Sequence, residues 1–171
     1  ALGLRWSDIE PGYRELRIRQ QLVVLPGKPK SFGDPKSASG QRVAPIIPMA
    51  ADALHAQRTH VLQQRLRAGD QWQEHDLVFA NHVSNPLDAR DVRLRLHDLA
   101  ARVGLPATVT PHTLRHSAAT YLLAAGVPDR VVMEILGHSS LAMTSRYEHV
   151  LSDMLASAGD KLARFVSAAS A

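Results

Sequence analysis

Hydrophobic and polar positions alternate in the first quarter of the chain, which is the pattern of β-strands. Residues 13–25 place apolar side chains between arginines, and this alternation predicts a strand. Residues 30–36 and 41–46 predict two more short strands, with residues 37–40 as the hairpin loop between them. Because connections this short join antiparallel neighbours, we expect a small antiparallel sheet of about three strands near the N-terminus.

From residue 49 onward the apolar positions recur at helical spacing instead. Glycines end several of these segments, at Gly69, Gly104, Gly126 and Gly137. The predicted helices span residues 49–68, 88–103, 110–125, 128–136, a short segment that begins at Ser139 or Ser140, and 151–166. The sequence therefore predicts a predominantly helical α+β fold. We expect one domain over residues 1–171, whose first six residues form the end of a helix.

The helix predicted over residues 110–125 has a clear start, with Thr110 as N-cap and Pro111 at the first helical position. Helical phase gathers one apolar stripe, which we expect to face the core: Leu114, Ala118, Tyr121, Leu122 and Ala125. A different side carries His112, Arg115, His116 and Ala119. We therefore expect the polar trio to lie away from the core.

Composition narrows the class of protein. The chain has 171 residues, of which 45% are hydrophobic and 21% are charged, as in globular proteins. The absence of cysteine excludes disulfides, thiolate metal sites and a cysteine nucleophile. A formal net charge of +4 favours a polyanionic partner without proving one. With neither a signal peptide nor an apolar run of transmembrane length, we expect a soluble, cytoplasmic protein without a membrane partner.

The stretch from Thr110 to Val150 contains a set of side chains that suits chemistry on a phosphate, namely His112, Arg115, His116, His138 and Tyr147. A phenol has a pKa of about 10, so Tyr147 needs nearby cations or a base to act as a nucleophile. Arg115 has a planar fork that matches two phosphate oxygens. His112, one turn earlier, can donate to phosphate or take the tyrosine proton, and His138 follows a helix-ending glycine.

Structural roles are the alternative for each of these residues taken singly. His112 and His116, at positions i and i+4, also suit a metal pair. Against a metal, Arg115 lies between them and would repel a cation, and the helix lacks a glutamate base. We expect neither a metal nor a cofactor, and we expect His116 to be a buried histidine that bonds to the backbone near the site.

As a set, these residues resemble the tyrosine recombinase (phage integrase) family. Three motifs occur in the family's order: His112-Thr-Leu-Arg-His116, then Leu136-Gly-His-Ser-Ser140, then Tyr147. Two upstream segments also resemble the family. Residues 2–9 resemble the segment that follows the family's first catalytic arginine, and residues 35–43 resemble the β-hairpin that carries the family's catalytic lysine. The resemblance covers nearly the whole chain and is weakest over residues 50–105.

The resemblance implies the fold of the family's catalytic domain and a set of roles. Tyr147 would attack a DNA phosphodiester to form a 3′-phosphotyrosyl link, while Arg115 and His138 hold the non-bridging oxygens. His112 would act as hydrogen-bond donor or general base, and Lys36 would protonate the leaving 5′-oxygen. The protein would be a site-specific DNA recombinase, or integrase, that needs no ATP, and it would work on double-stranded DNA as a homo-tetramer.

One departure from the family is that its first catalytic arginine has no counterpart here, since Arg5 lies beside Trp6 rather than in the catalytic position. We therefore expect a catalytic domain truncated at its N-terminus, impaired by itself, whose full-length parent is active. A type IB topoisomerase and a DNA-binding module without catalysis are the alternative functions.

DNA contacts are expected from two groups of basic residues. They are Arg14, Arg17 and Arg19 on the first strand and Arg90, Arg93 and Arg95 near the helix at 88–103. The apolar stripe of the helix at 151–166 either packs on its own domain in cis or docks on a neighbouring protomer in trans.

Overall fold

The computed structural model describes residues 2–35 and 40–137. The chain divides into two compact units, residues 1–107 and residues 108–171. The helices predicted after residue 138 lie outside the described residues, and the expectation of a single domain stays a prediction. Among the described helices, none is long and apolar enough to cross a membrane.

In the described part of the first unit, four short strands form two antiparallel pairs. They are β1 (Glu15–Ile18), β2 (Gln21–Val23), β3 (Ser31–Gly33) and β4 (Arg42–Pro45). Strand β1 pairs with β4, and β2 pairs with β3. The antiparallel pairing is confirmed, but the expectation of one sheet of about three strands is wrong. The observed hairpin joins β2 to β3. The predicted hairpin instead joined residues 30–36 to residues 41–46 through residues 37–40, and residues 36–39 lie outside the described part of the chain.

The predicted strand at residues 13–25 is interrupted at residues 19 and 20 because both side chains bind elsewhere. The Gln20 side-chain amide donates to the Gly3 carbonyl oxygen at 2.9 Å. Gly3 is buried there, and a Cβ on it would lie 3.2 Å from the backbone of Gln20 and Gln21. The guanidinium of Arg19 lies 3.9 Å from the carboxylate of Asp8. Residues 19 and 20 therefore separate β1 from β2, and residues 13–25 do not form one continuous strand.

The start of the chain is not the helix end that the sequence predicted. Arg5 forms a β-bridge with Leu77, and a short 3₁₀ helix follows at Trp6–Asp8. Asp8 is only 2% exposed, and it accepts hydrogen bonds from Arg5 Nε and Nη2, each at 3.1 Å. The hydrogen bond to Asp8 is the main reason why the pKa of Arg5 is raised. A buried carboxylate needs such partners, so this pair stabilises the bridge and the turn together.

Two helices complete the first unit close to their predicted bounds, α1 (Pro48–Ala68) and α2 (Ala89–Arg102). Gly69 caps α1 with a φ of 50°, which favours glycine. Asp88 caps α2 by accepting from the Arg90 backbone N–H at 2.8 Å. Leu54 of α1 packs with Ile9 and Val78 in a buried core cluster.

The second unit contains α3 (Pro111–Ala124) and α4 (Asp129–Leu136), which pack against each other. Their contact buries Ala119, Leu123, Val132 and Leu136. The stripe expected to face the core is instead exposed at Leu114 (51%) and Tyr121 (70%). The expected core face of α3 is therefore wrong, since the buried side is the one that contains Ala119.

The small side chain of Ala119 explains this reversal. Ala119 is fully buried, so α4 approaches α3 closely at this position. Val132 and Leu136 lie one helical turn apart on α4 and fill the space beside Ala119. Leu122 and Val127 pack against the same cluster from its edge.

Candidate active site

The first turn of α3 is held rigidly by a reciprocal pair of threonine hydrogen bonds. The backbone N–H of Thr113 donates to Thr110 Oγ1 at 3.1 Å, and the backbone N–H of Thr110 donates to Thr113 Oγ1 at 3.2 Å. Pro111 occupies the first helical position, where no backbone N–H is needed. This local sequence orients His112, which follows directly.

His112 and His116 lie side by side on the surface of α3. Both side chains are exposed, and their ring centroids are 6.2 Å apart with an angle of 28° between the ring planes. The expectation that His116 is buried is therefore wrong. Because α4 covers the side of Ala119 and Leu123 further along the helix, the first two turns of α3 keep their imidazoles open.

Arg115 connects α3 to the end of α4. Its side chain is half-buried, and its Nη2 donates a hydrogen bond to the carbonyl oxygen of Leu136, the last residue of α4. The carbonyls at a helix C-terminus carry partial negative charge, so a guanidinium is a favourable partner there. Gly137 follows with a φ of 67°, a left-handed conformation that favours glycine and ends the helix.

Three of the five predicted catalytic residues lie outside the described residues, namely Lys36, His138 and Tyr147. The structure brings His112 and Arg115 together, with His116 beside them. It also shows that Arg115 binds the last residue of α4, Leu136, which is two positions before His138 in the sequence. The predicted positions of the other three residues remain predictions.

The ionisable side chains of α3 itself carry positive charge or none, apart from the phenol of Tyr121. Helix α3 carries two imidazoles and one guanidinium and has no carboxylate along its length. Such a set attracts anions, and it can donate several hydrogen bonds to phosphate oxygens. Within residues 2–35 and 40–137, there is no group of three or more histidine, aspartate or glutamate side chains that could hold a metal ion.

The six arginines predicted to contact DNA are all exposed and all lie in the first unit. Two of them also have acidic partners. Arg17 lies 3.6 Å from Glu15, and Arg19 lies 3.9 Å from the buried Asp8. Arg90, Arg93 and Arg95 follow the N-cap of α2 within its first two turns.

One ionic contact involves Lys30, a residue outside the predicted site. Its ammonium lies 3.2 Å from the Asp88 carboxylate. The pKa of Asp88 is lowered, first by the hydrogen bond from the Arg90 backbone N–H and then by Lys30. The position of Asp88 before a helix indicates its capping role, but no local signal reveals Lys30, which is 58 positions earlier.

Comparison with known proteins gives a family match. A family model described as "Phage integrase family" matches residues 1–154. Among curated proteins, the tyrosine recombinase XerD of Lacticaseibacillus casei is 37% identical over 152 residues, which are 88% of this chain and 47% of that protein. The tyrosine recombinase XerC of Mycobacterium tuberculosis is 38% identical over 148 residues, which are 86% of this chain and 43% of that protein.

Solved structures agree with this match. The Tn1549 transposon integrase, in complex with transposon right end DNA, has a TM-score of 0.69 and 25% identity, covering 85% of this chain and 48% of that one. The XerA recombinase shares the fold, with a TM-score of 0.66 at 24% identity over 86% of this chain and 46% of that one. The chain thus spans about half the length of the relatives that it matches.

Proposed function

The chain belongs to the phage integrase family, and we therefore propose that it is the catalytic part of a site-specific DNA recombinase. The proposed reaction cuts and rejoins DNA strands through a 3′-phosphotyrosyl intermediate. We propose that both compact units contribute to one catalytic domain and that the protein acts on DNA in the cytoplasm.

In the proposed first step, the Tyr147 oxygen attacks a backbone phosphorus. A bond forms between this oxygen and phosphorus as the bond from phosphorus to the 5′-oxygen breaks. His112 takes the tyrosine proton, and Lys36 supplies a proton to the leaving 5′-oxygen. In the second step, the 5′-hydroxyl of a partner strand attacks the phosphotyrosine and releases Tyr147. The covalent link keeps the bond energy, so ATP is not required.

Arg115 and His138 are the proposed ligands of the non-bridging phosphate oxygens. Most of the catalytic task in such a displacement is to stabilise charge on these oxygens with groups already in place. The observation that carries the proposal is the hydrogen bond from Arg115 to the Leu136 carbonyl. This hydrogen bond supports a guanidinium that is already held in place before DNA binds. It also connects Leu136, which precedes Gly137 and His138, to α3, the helix that carries His112.

We propose that binding to double-stranded DNA involves the six exposed arginines, which would contact backbone phosphates. Exchange of strands between two DNA sites calls for four protomers, so the proposed working state of the whole protein is a homo-tetramer. The segment at 151–166 would pack on its own domain or dock on a neighbour. The named relatives are recombinases and an integrase, and no observation favours a topoisomerase or a module without catalysis.

Replacing the proposed nucleophile tests the reaction directly. The complete natural protein and its Tyr147→Phe variant are incubated with end-labelled, nicked duplexes of randomised sequence, and covalent adducts are separated on a denaturing gel. We expect an adduct from the natural protein and none from the variant, because phenylalanine has no oxygen to attack phosphorus.

Tyr121→Phe is the matched control, since Tyr121 is an exposed tyrosine in α3 with no proposed role. An adduct that persists in Tyr147→Phe would show that another residue is the nucleophile. The absence of adduct from every form would favour a DNA-binding module instead. That the 171 residues cleave slowly by themselves stays a prediction, which the same gel measures.

A further inference from the structure

We propose that the turn between β2 and β3 is a further DNA-contacting element, in which Lys28 binds a backbone phosphate and Lys30 is a positioning residue. This element, here called the hairpin tip, comprises residues 24–30, all of which are exposed. It differs from the predicted hairpin of Lys36, and neither Lys28 nor Lys30 belongs to the predicted DNA contacts. The inference rests on the proposed function, because it takes DNA as the partner.

The hairpin tip has a defined shape because it contains a tight turn. The backbone N–H of Lys28 donates to the Leu25 carbonyl oxygen at 3.1 Å. Pro26 precedes Gly27, whose φ of 70° is the left-handed conformation that the third residue of a type II turn requires. Pro29 then restricts the backbone after Lys28. The turn therefore presents the Lys28 side chain from a fixed backbone position.

Lys30 connects the hairpin tip to the segment that begins α2. Its ammonium lies 3.2 Å from the Asp88 carboxylate, and it donates a hydrogen bond to the Pro86 carbonyl oxygen at 3.5 Å. Asp88 is at the same time the N-cap of α2. A pair of three-residue strands is marginally stable by itself, so this connection to the helix restricts where the hairpin tip lies.

The charges at the start of α2 favour an anion beside this connection. Arg90 and Arg93 are both exposed, and they share one face of the helix because they are three positions apart. The Lys30 ammonium offsets the charge of Asp88, which would otherwise repel a phosphate there. Asp91, in the same first turn, lies about 100° around the helix from Arg90.

Lys28 adds a cation to this surface from the side of the hairpin. Among the residues that the structure describes, Lys28 forms no ion pair, so its charge is available to a ligand. Duplex DNA carries one negative charge for about every 1.7 Å of its axis, so one segment can meet cations from the hairpin and the helix together. A lysine binds phosphate as a point charge, and such contacts position a protein on DNA without reading its sequence.

Salt-dependent DNA binding tests the contact and the positioning role separately. Fluorescence anisotropy of labelled duplexes of randomised sequence measures affinity at several KCl concentrations, with Tyr147→Phe in every protein so that the proposed nucleophile is absent. The variants of the complete natural protein are Lys28→Gln, Asp88→Ser and both together, with Arg102→Gln as the control. Serine also caps helices, so Asp88→Ser removes the partner of Lys30 and keeps an N-cap, and far-UV circular dichroism checks the fold.

We expect Lys28→Gln to reduce the slope of log affinity against log salt concentration by about 0.9, the value of one phosphate contact. Asp88→Ser should also reduce this slope, although it removes a negative charge, because the hairpin tip is no longer held beside α2. The double variant should have the slope of Lys28→Gln alone, since both changes remove the same contact. The control should keep the natural slope.

A natural slope in Lys28→Gln would overturn the phosphate contact. A slope in Asp88→Ser that stays natural or steepens would overturn the positioning role, because Lys30 would then be only a cation that its acidic partner had masked. Failure of every form to bind DNA would overturn both the inference and the proposed function. If the slopes change as expected while the protein with Tyr147 forms no covalent adduct, the proposed reaction fails and the hairpin contact stands.

Discussion

Two leucine-to-alanine substitutions in α3 test which side of this helix packs against α4. Leu123 is 8% exposed and packs against α4, whereas Leu114 is 51% exposed. We predict that Leu123→Ala destabilises the protein far more than Leu114→Ala does. The sequence pattern alone predicts the opposite order, since it places Leu114 in the core.

The magnitude follows from burial. Leucine to alanine removes three carbon atoms, and burial contributes about 0.8 kcal/mol for each, or about 2.4 kcal/mol when the side chain is fully buried. At Leu123 the substitution also leaves a cavity beside Val132, so the total loss should reach about 3 kcal/mol. Leu114 has half of its surface in water and leaves no enclosed cavity, so its loss should stay at about 1 kcal/mol.

Urea unfolding followed by circular dichroism at the helical minimum measures both free energies. The comparison is internally controlled, because helix, chemistry and helix propensity are the same in the two variants. A difference of about 2 kcal/mol exceeds the uncertainty of linear extrapolation. If Leu114→Ala costs as much as Leu123→Ala, the assignment of the buried side of α3 is wrong.

Two further predictions concern charges. The pKa of Asp88 is lowered in the folded chain, so Asp88 stabilises the fold above its unfolded pKa, and this contribution is lost as the pH falls through the lowered value. Carbon NMR titration of the Lys30→Met variant should show that the Asp88 pKa rises only part of the way to its ordinary value. The hydrogen bond from the Arg90 backbone N–H, which is the larger cause of the lowered pKa, remains in this variant. An Asp88 pKa that does not change would contradict the ion pair with Lys30. The second prediction concerns DNA binding, which should weaken with salt. Replacing Arg90, Arg93 and Arg95 together by glutamine should reduce the slope of log affinity against log salt concentration by about one unit per lost phosphate contact. The control, Arg102→Gln at the far end of α2, should leave this slope unchanged. An equal slope in all three proteins would exclude these arginines from phosphate contact.

The helices were predictable because their ends are encoded within one turn of sequence. Thr110 with Pro111, Asp88 before α2, and the glycines at 69 and 137 mark boundaries that differ from the structure by at most one or two residues. The same local logic explains why the motif around His112 and Arg115 could be assigned to one helix and related to a family by sequence alone.

Sequence pattern failed where contacts join distant segments. The β1–β4 pair connects Glu15 with Pro45, and no spacing rule distinguishes this pairing from a simple three-stranded meander. The ion pair between Lys30 and Asp88 is equally remote. Helical phase placed His116 on the side away from the core, and its exposure agrees with that phase; the expected burial, which did not follow from the phase, was wrong.

By itself, then, the sequence determined the bounds of α1 to α4 to within one or two residues, the antiparallel character of the strands, the family and the order of its motifs. Only the tertiary structure decided that Ala119 rather than Leu114 faces the core, and that Arg115 is held on the carbonyl of Leu136. The physical reason is the range of the forces involved. Caps and helical hydrogen bonds act within a few residues, whereas the buried side of a helix depends on where a separate segment packs.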